Sequence, residues 1–130
     1  MSPDDERFVR ASWFESYWMD YQRERGIAFA DYKAGQNRRI ETLLERSEVL
    51  VAFAPAAPDE ILGYAVIEGE ALHYTYVKSI YRRRGIATGL IRSRAKTYSV
   101  KTPGMKKLLA KVPLQFNPYT IEDAVPEELA

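Results

Sequence analysis

An α+β fold follows from three features of the sequence. Between residues 49 and 78, three apolar or alternating runs succeed one another across short turn signals, which predicts an antiparallel meander. Helical spacing of apolar residues precedes that block and resumes after it. A last apolar run follows the second helical stretch, and a helical crossover would return it parallel to the third strand. The predicted arrangement is an antiparallel meander leading into a parallel strand pair, flanked by helices before and after.

The first helix starts at the chain's beginning. Ser2 reads as an N-cap, Pro3 as the first helical position, and Asp4 and Asp5 as acids of the first turn. Phe8, Ala11, Ser12, Glu15, Trp18 and Met19 trace the stripe expected to face inward. Trp13, Phe14, Tyr17 and Tyr21 then lie around the remaining surface, more aromatic area than one core face needs. Either they pack in the core, or Trp13, Tyr17 or Tyr21 lines an acceptor pocket. Gly26 is expected to end the helix, and residues 27–32 to form a connection with Phe29 and Tyr32 tucked inward. A second helix is predicted over 35–46, buried along Ile40, Leu43 and Leu44, with Arg38, Arg39, Glu41, Glu45 and Arg46 solvated.

The strand signals come next. Residues 49–53 form a short apolar strand, closed by Pro55 and Pro58 with Asp59 in the turn, and 61–68 supplies its partner. Gly69-Glu70 marks a tight hairpin into a strand over 71–78, where Leu72, Tyr74 and Tyr76 alternate with His73, Thr75 and Val77. From Ile86 the period changes. Ile86, Ala87, Leu90, Ile91, Arg94, Ala95 and Tyr98 recur at spacings of three and four, which predicts a helix over 86–99. Thr102-Pro103-Gly104 reads as a turn, 107–115 as the final strand, pairing parallel to 71–78, and Asn117-Pro118-Tyr119-Thr120 as another turn. Pro126 and several acids limit the tail to a short helix at most.

Composition narrows the function classes. With 130 residues the chain is expected to be one domain, and 46% hydrophobic against 28% charged residues is ordinary for a soluble globular protein. Nineteen basic residues against eighteen acidic ones leave a net charge of +1, so no global field draws the chain to nucleic acid or to an anionic membrane. The absence of cysteine excludes disulfides, zinc-thiolate centres and cysteine nucleophiles. No apolar run approaches the length of a membrane span, and the N-terminus is acidic, so a soluble, cytoplasmic protein is expected.

The stretch 72–91 points most directly to a ligand. Tyr81, Arg82, Arg83, Arg84 and Gly85 fall between the predicted strand and helix, which puts three arginines at a helix N-terminus. Unpaired N–H groups and the positive end of a helix dipole favour an anion there, and phosphate is the natural guest. Gly85 allows close backbone approach, and Ala87 keeps the first turn uncluttered. Gly-Lys-Ser/Thr is absent, as is Gly-x-Gly-x-x-Gly, so the stretch is neither a nucleotide P-loop nor a dinucleotide fingerprint.

Arg82-Arg83-Arg84-Gly85-Ile86-Ala87 resembles the Arg/Gln-x-x-Gly-x-Gly/Ala signature of the GCN5-related N-acetyltransferases, the GNAT family. In that family the signature cradles the pyrophosphate of acetyl-coenzyme A, mainly through backbone N–H groups. The resemblance implies that Tyr76 and Val77 face the pantetheine arm and thioester. It implies a three-layer fold with helices on both faces, and assigns Arg82, Arg83, Arg84, Gly85, Ile86, Ala87 and Thr88 to the cofactor with Gly89 beside the phosphates and Lys78 and Arg92 as outer candidates for the nucleotide phosphate. For the general base it offers His73, the single histidine, then Glu68 or Glu70. For the acid it offers Tyr119, with Asn117 on the pantetheine arm. Most members open with a strand before the first helix and continue further after the fifth strand, so minimal N- and C-terminal elements are expected here. A neighbouring subunit in a homodimer, or a bulky acceptor, would then complete the acceptor side. The segments SWFESYW, HYTYVK and FNPY are also similar to small phage and prophage members, which would make a host or phage protein a plausible amine acceptor. A binding module that keeps the fold without transferring an acetyl group is the alternative.

Overall fold

The computed structural model describes residues 1–122. Its sheet has five strands in the order β1-β2-β3-β4-β5: Glu48–Ala54, Ala57–Glu68, Ala71–Val77, Thr97–Tyr98 and Gln115–Phe116. The first three form an antiparallel meander, and the β3-β4 and β4-β5 pairs are parallel. The α+β arrangement of antiparallel and then parallel pairs is the expected one. The helices are α1 (Pro3–Asp20), α2 (Phe29–Arg46), α3 (Ile86–Ile91), α4 (Met105–Leu109) and α5 (Tyr119–Glu122). The tail from residue 123, including Pro126, lies outside the described residues.

Local chemistry explains where most elements begin and end. Ser2 caps α1: its hydroxyl accepts from Asp5 N while the Asp5 carboxylate accepts from Ser2 N, a reciprocal capping box. A 3-10 turn over Gln22–Arg25 follows, and Gly26, at φ 78°, closes it in the left-handed region. Gly69, at φ 60°, makes the tight turn from β2 to β3.

β2 lies between β1 and β3, and its alternation feeds two cores. Tyr64 and Val66 meet Val9, Trp13 and Tyr17 of α1 and Tyr32, Ile40 and Leu43 of α2. On the opposite face Ala65 and Ile67 join Leu72, Ile91 of α3, and Met105 and Leu108 of α4. Helices therefore cover both faces.

Several expectations are corrected. α1 buries Val9, Trp13 and Tyr17 rather than the stripe through Phe8, Ala11, Glu15 and Met19, because the dense aromatics sit at four-residue spacing on the face that meets the sheet. α2 begins at Phe29, so Tyr32 is a buried helical residue while Phe29 is 48% exposed. The first hairpin turns at Pro55-Ala56, and Pro58 and Asp59 belong to β2.

The helix expected over 86–99 ends at Ile91. Gly89 weakens it by about 1 kcal/mol relative to alanine, and the residues after it find better partners on the sheet. Lys96 N and Thr97 N both donate to Glu70 O, and Thr97-Tyr98 pairs with Ala71-Leu72. Ala95 and Tyr98 are buried as expected, but through strand pairing. The parallel neighbour of β3 is therefore β4, not residues 107–115. Lys107 lies in α4, whose buried residues Met105 and Leu108 are spaced for a helix, and Pro113 removes a ladder donor from the run assigned to a strand.

Gly63 supplies a stability test. A Cβ there would lie 2.6 Å from Tyr76 O and 3.1 Å from Val77 Cα, both backbone atoms of the adjacent strand. Gly63→Ala should therefore cost roughly 1–3 kcal/mol by overpacking. Urea unfolding checks this, and an unchanged midpoint would refute the close approach.

Candidate functional site

Only Ala71 with Thr97 and Leu72 with Tyr98 join β3 to β4, and Ser99 N to Leu72 O, at 3.1 Å, is the last backbone bond between them. Beyond it the two segments part. His73 through Val77 form one wall of a cleft of about 840 Å³; Val100 and residues 102–105 form the other. The C-terminal end of α1, the turn after β3, Lys107 and Lys111 also line it.

A bulge in β3 decides which backbone groups face this opening. Leu72 O points to the β4 side, yet Lys78 N donates to Leu62 O on β2 at 3.0 Å. Two even-numbered residues thus face opposite ways, and the alternation inverts at the register shift beside His73. Past that point the backbone of Tyr76 turns toward β2, and that of Val77 turns to the cleft side. Val77 O is taken by Arg82 Nε at 3.0 Å.

The basic turn is built by unusual backbone conformations. Arg83 has φ 68° and Gly85 φ 76°, and a non-glycine residue in the left-handed region is strained. Among the described residues, neither Arg83, Arg84 nor Gly85 donates a backbone hydrogen bond across a turn or loop. Ile86, Ala87 and Thr88 open α3, where N–H groups lack intrahelical acceptors. Because α3 has six residues, the attraction for an anion rests on these free donors and nearby cations more than on a long helix dipole.

Arg82, Arg83, Gly85, Ile86, Ala87 and Thr88 line the cleft together with Tyr76 and Val77. Lys78 and Arg84 do not. Lys78 Nζ lies 5.1 Å from the Phe8 ring centroid, and the Arg84 guanidinium lies 5.7 Å from that of Tyr81. Tyr81 in turn donates to Glu60, which raises its phenol pKa.

His73 lies on the wall but is fully engaged. Its Nε2 is 2.9 Å from Glu68 Oε1 and its Nδ1 2.8 Å from Ser99 Oγ. Glu68 also pairs with Arg46 at 2.6 Å. Burial pushes the imidazole below its ordinary 6.5 despite the opposing Glu68 carboxylate. The ring is then neutral near pH 7, with Nε2–H donating to Glu68 and Nδ1 accepting from Ser99. Glu68 is raised by burial, but hydrogen bonds from His73 and Arg46 outweigh that effect and leave it below 4.5.

Acid stability follows from these directions. Below about pH 6.5 the unfolded chain binds a proton on His73 that the folded chain refuses, so stability falls until the folded pKa is passed. Below about 4.5 Glu68 adds a second loss, because the unfolded carboxylate protonates first. Urea midpoints at pH 7.5, 6.0 and 5.0 should decline in that order. His73→Gln should flatten the step between 7.5 and 6.0.

Other predicted residues stand apart from the cleft wall. Tyr119 is 67% exposed. Asn117 Oδ1 accepts from Tyr119 N at 3.1 Å, an Asx turn leading into α5. Glu70 pairs with Lys96 at 3.1 Å, and Gly89 and Arg92 are exposed. Neither Tyr119, Asn117, Glu68 nor Glu70 lines the cleft. Residues that the sequence reading did not select do so: Ser16, Asp20 and Glu24 at the α1 end, and Lys107 and Lys111 near α4. The four-residue spacing of the two lysines was a usable signal once 105–112 is read with helical spacing. Asp20 and Glu24 had no signal, since acids at helix ends are ordinarily solvated. Comparison of the chain with protein-family models, with curated proteins and with solved structures gives no match in any of the three.

Proposed function

We propose that the protein is an N-acetyltransferase that moves the acetyl group of acetyl-coenzyme A to a primary amine by direct attack in a ternary complex. The acceptor is a protein lysine or N-terminus, or a small-molecule amine. The cleft is the observation that supports this most: a parted parallel strand pair, open beside a turn of free N–H groups and arginines. Its residues fit the donor. The 83–88 N–H groups with Arg83, Lys107 and Lys111 suit a pyrophosphate, Gly85 places no Cβ over it, and Val77 offers backbone beside the parted strands.

When bound, acetyl-coenzyme A supplies an activated thioester acyl group. The chain's part is to hold the donor against β3, to bring an amine to the same cleft, and to limit water between them. The amine proton finds no acceptor on His73, whose ring nitrogens are both engaged, so it leaves through solvent in the cleft.

One observation favours a second reading, a non-catalytic acyl-coenzyme A-binding or protein-interaction module. His73 is locked in a hydrogen-bonded line, and Tyr119 lies off the cleft, so neither expected proton-transfer group is free at the site. Calorimetric titration with coenzyme A, paired with thiol release from acetyl-coenzyme A across a panel of amines, separates the two. Binding with amine-dependent thiol release supports transfer. Binding without release across the panel supports the coenzyme-binding module, and no binding removes both the transferase and that module and leaves the protein-interaction reading.

A further inference from the structure

β1 is an outer strand of the sheet and has a strand neighbour on one side only, β2. The bond from Lys78 N to Leu62 O turns the even-numbered backbone groups of β2 toward β3, so its odd-numbered groups face β1. Ala65 pairs with Leu50, and Gly63 with Ala52. Leu50 and Ala52 therefore direct their N–H and C=O groups to β2, and those of Val49 and Val51 point away from the sheet. Among the described residues no backbone group of a turn or loop bonds them.

Such an edge is ordinarily blunted by a lysine, a proline, a bulge or shortness. The opposite outer strand, β5, follows that rule: it has two residues, with Pro113 before it and Pro118 after. β1 does not. From Val49 to Ala54 its residues are all apolar and uncharged, and its register shifts come only after Ala52. Its one charge, Glu48, is paired with Arg94.

We propose that β1 is an interface between two copies of this chain, paired antiparallel about a two-fold axis at Leu50, which joins their sheets into one. Val49 of each copy then lies opposite Val51 of the other, and each such pair exchanges N–H···O bonds in both directions. Charge and side chains suit a second copy. Glu48 falls opposite Ala52, so no two like charges are opposed, while the Leu50 side chains meet on the face of Ile91 and Val49 meets Val51 on the face of Val9. An axis at Val51 would instead set Val49 against Phe53, beyond the register shift. β2 and β3 stand between this edge and the cleft, so the pairing holds whether or not the cleft takes acetyl-coenzyme A.

Sedimentation velocity over a range of protein concentrations reads the assembly. The wild type should sediment as a dimer at the upper end; a monomer throughout leaves the edge to another chain and overturns the proposal. Val51→Pro removes an outward N–H and no bond within the sheet. It should raise the dimer dissociation constant by about tenfold or more, as losing two hydrogen bonds implies, and an unchanged constant in the folded variant places the interface elsewhere. Because proline can disturb the strand itself, a second pair of variants reads the register. The chain has no cysteine, and across the axis the two residues 50 have Cα atoms about 4.5 Å apart, within disulfide reach. Leu50→Cys should give a covalent dimer on mild oxidation, whereas Ala52→Cys, roughly 14 Å from its copy, should not. A dimer that Leu50→Cys fails to cross-link, or that both cysteines cross-link alike, overturns the pairing.

Discussion

Gly85→Glu should weaken coenzyme A binding by roughly ten- to a hundredfold while the protein stays folded. Space is not the reason, because a Cβ on Gly85 would meet nothing within 4 Å. Two other effects act. At φ 76° an L-residue is strained by roughly 1–2 kcal/mol, which a domain with a stability of about 5–15 kcal/mol survives. The new carboxylate then stands among the N–H groups proposed to hold phosphate, where like-charge repulsion dominates. Gly85→Ala isolates the strain, since it adds the Cβ without the charge, and should bind coenzyme A nearly as the wild type does. Calorimetry on the three proteins decides the matter. Full affinity in a folded Gly85→Glu would place the anion elsewhere on the wall.

The turn around Gly85 was legible because its signals are local. Gly85 at a strand-to-helix junction, with arginines before it and small residues after, predicts a backbone able to receive an anion, and two left-handed residues, Arg83 and Gly85, lie within that turn. The meander was legible for a similar reason: Gly69-Glu70 and the alternation through 71–77 leave little choice of pairing. Elements beyond Ile91 were misread where two periods coincide. Ala95 and Tyr98 keep a helical spacing from Ile91, yet Thr97, Tyr98 and Val100 are good strand formers, and the carbonyl of Glu70 decides the competition. No local pattern announces that tertiary partner.

The site divides along the same line. Val77, Arg83 and Gly85 were found from neighbours in sequence. Asp20 and Glu24 reach the cleft only because α1 crosses the sheet, and Lys107 and Lys111 only because α4 packs its Met105 and Leu108 on Leu72 and Ile91. His73 shows the limit in reverse. Its position on the central strand was read correctly, but its bonds to Ser99, 26 residues away, and to Glu68, which tie β3 to the end of β4 where the cleft begins, had no local signal.

Trp13→Ala should be the most destabilising single change in α1, costing about 3–5 kcal/mol. Trp13 is 2% exposed and stacks on Tyr74 with ring centroids 5.3 Å apart and planes 8° from parallel. Truncation loses that burial, leaves a cavity beside Tyr64 and Val66, and removes an aromatic pair worth about 0.5–1.5 kcal/mol beyond its area. The effect reaches the cleft through Tyr74, which touches Trp13 with its ring, hydrogen-bonds Ser16 and lines the cavity wall. Trp13→Phe retains a ring on Tyr74 and should lose less. Tyr21→Phe provides the contrast, because Tyr21 is half-buried on the wall and its hydroxyl meets the exposed Arg25; its stability should change by less than about 1 kcal/mol. If urea unfolding ranks the three as alanine, phenylalanine at 13, phenylalanine at 21, then α1 has two separate jobs. Its Trp13 face holds the sheet, and its C-terminal end, through Tyr17, Asp20 and Tyr21, lines the cleft. A Trp13→Ala midpoint equal to that of Tyr21→Phe would place Trp13 outside the core.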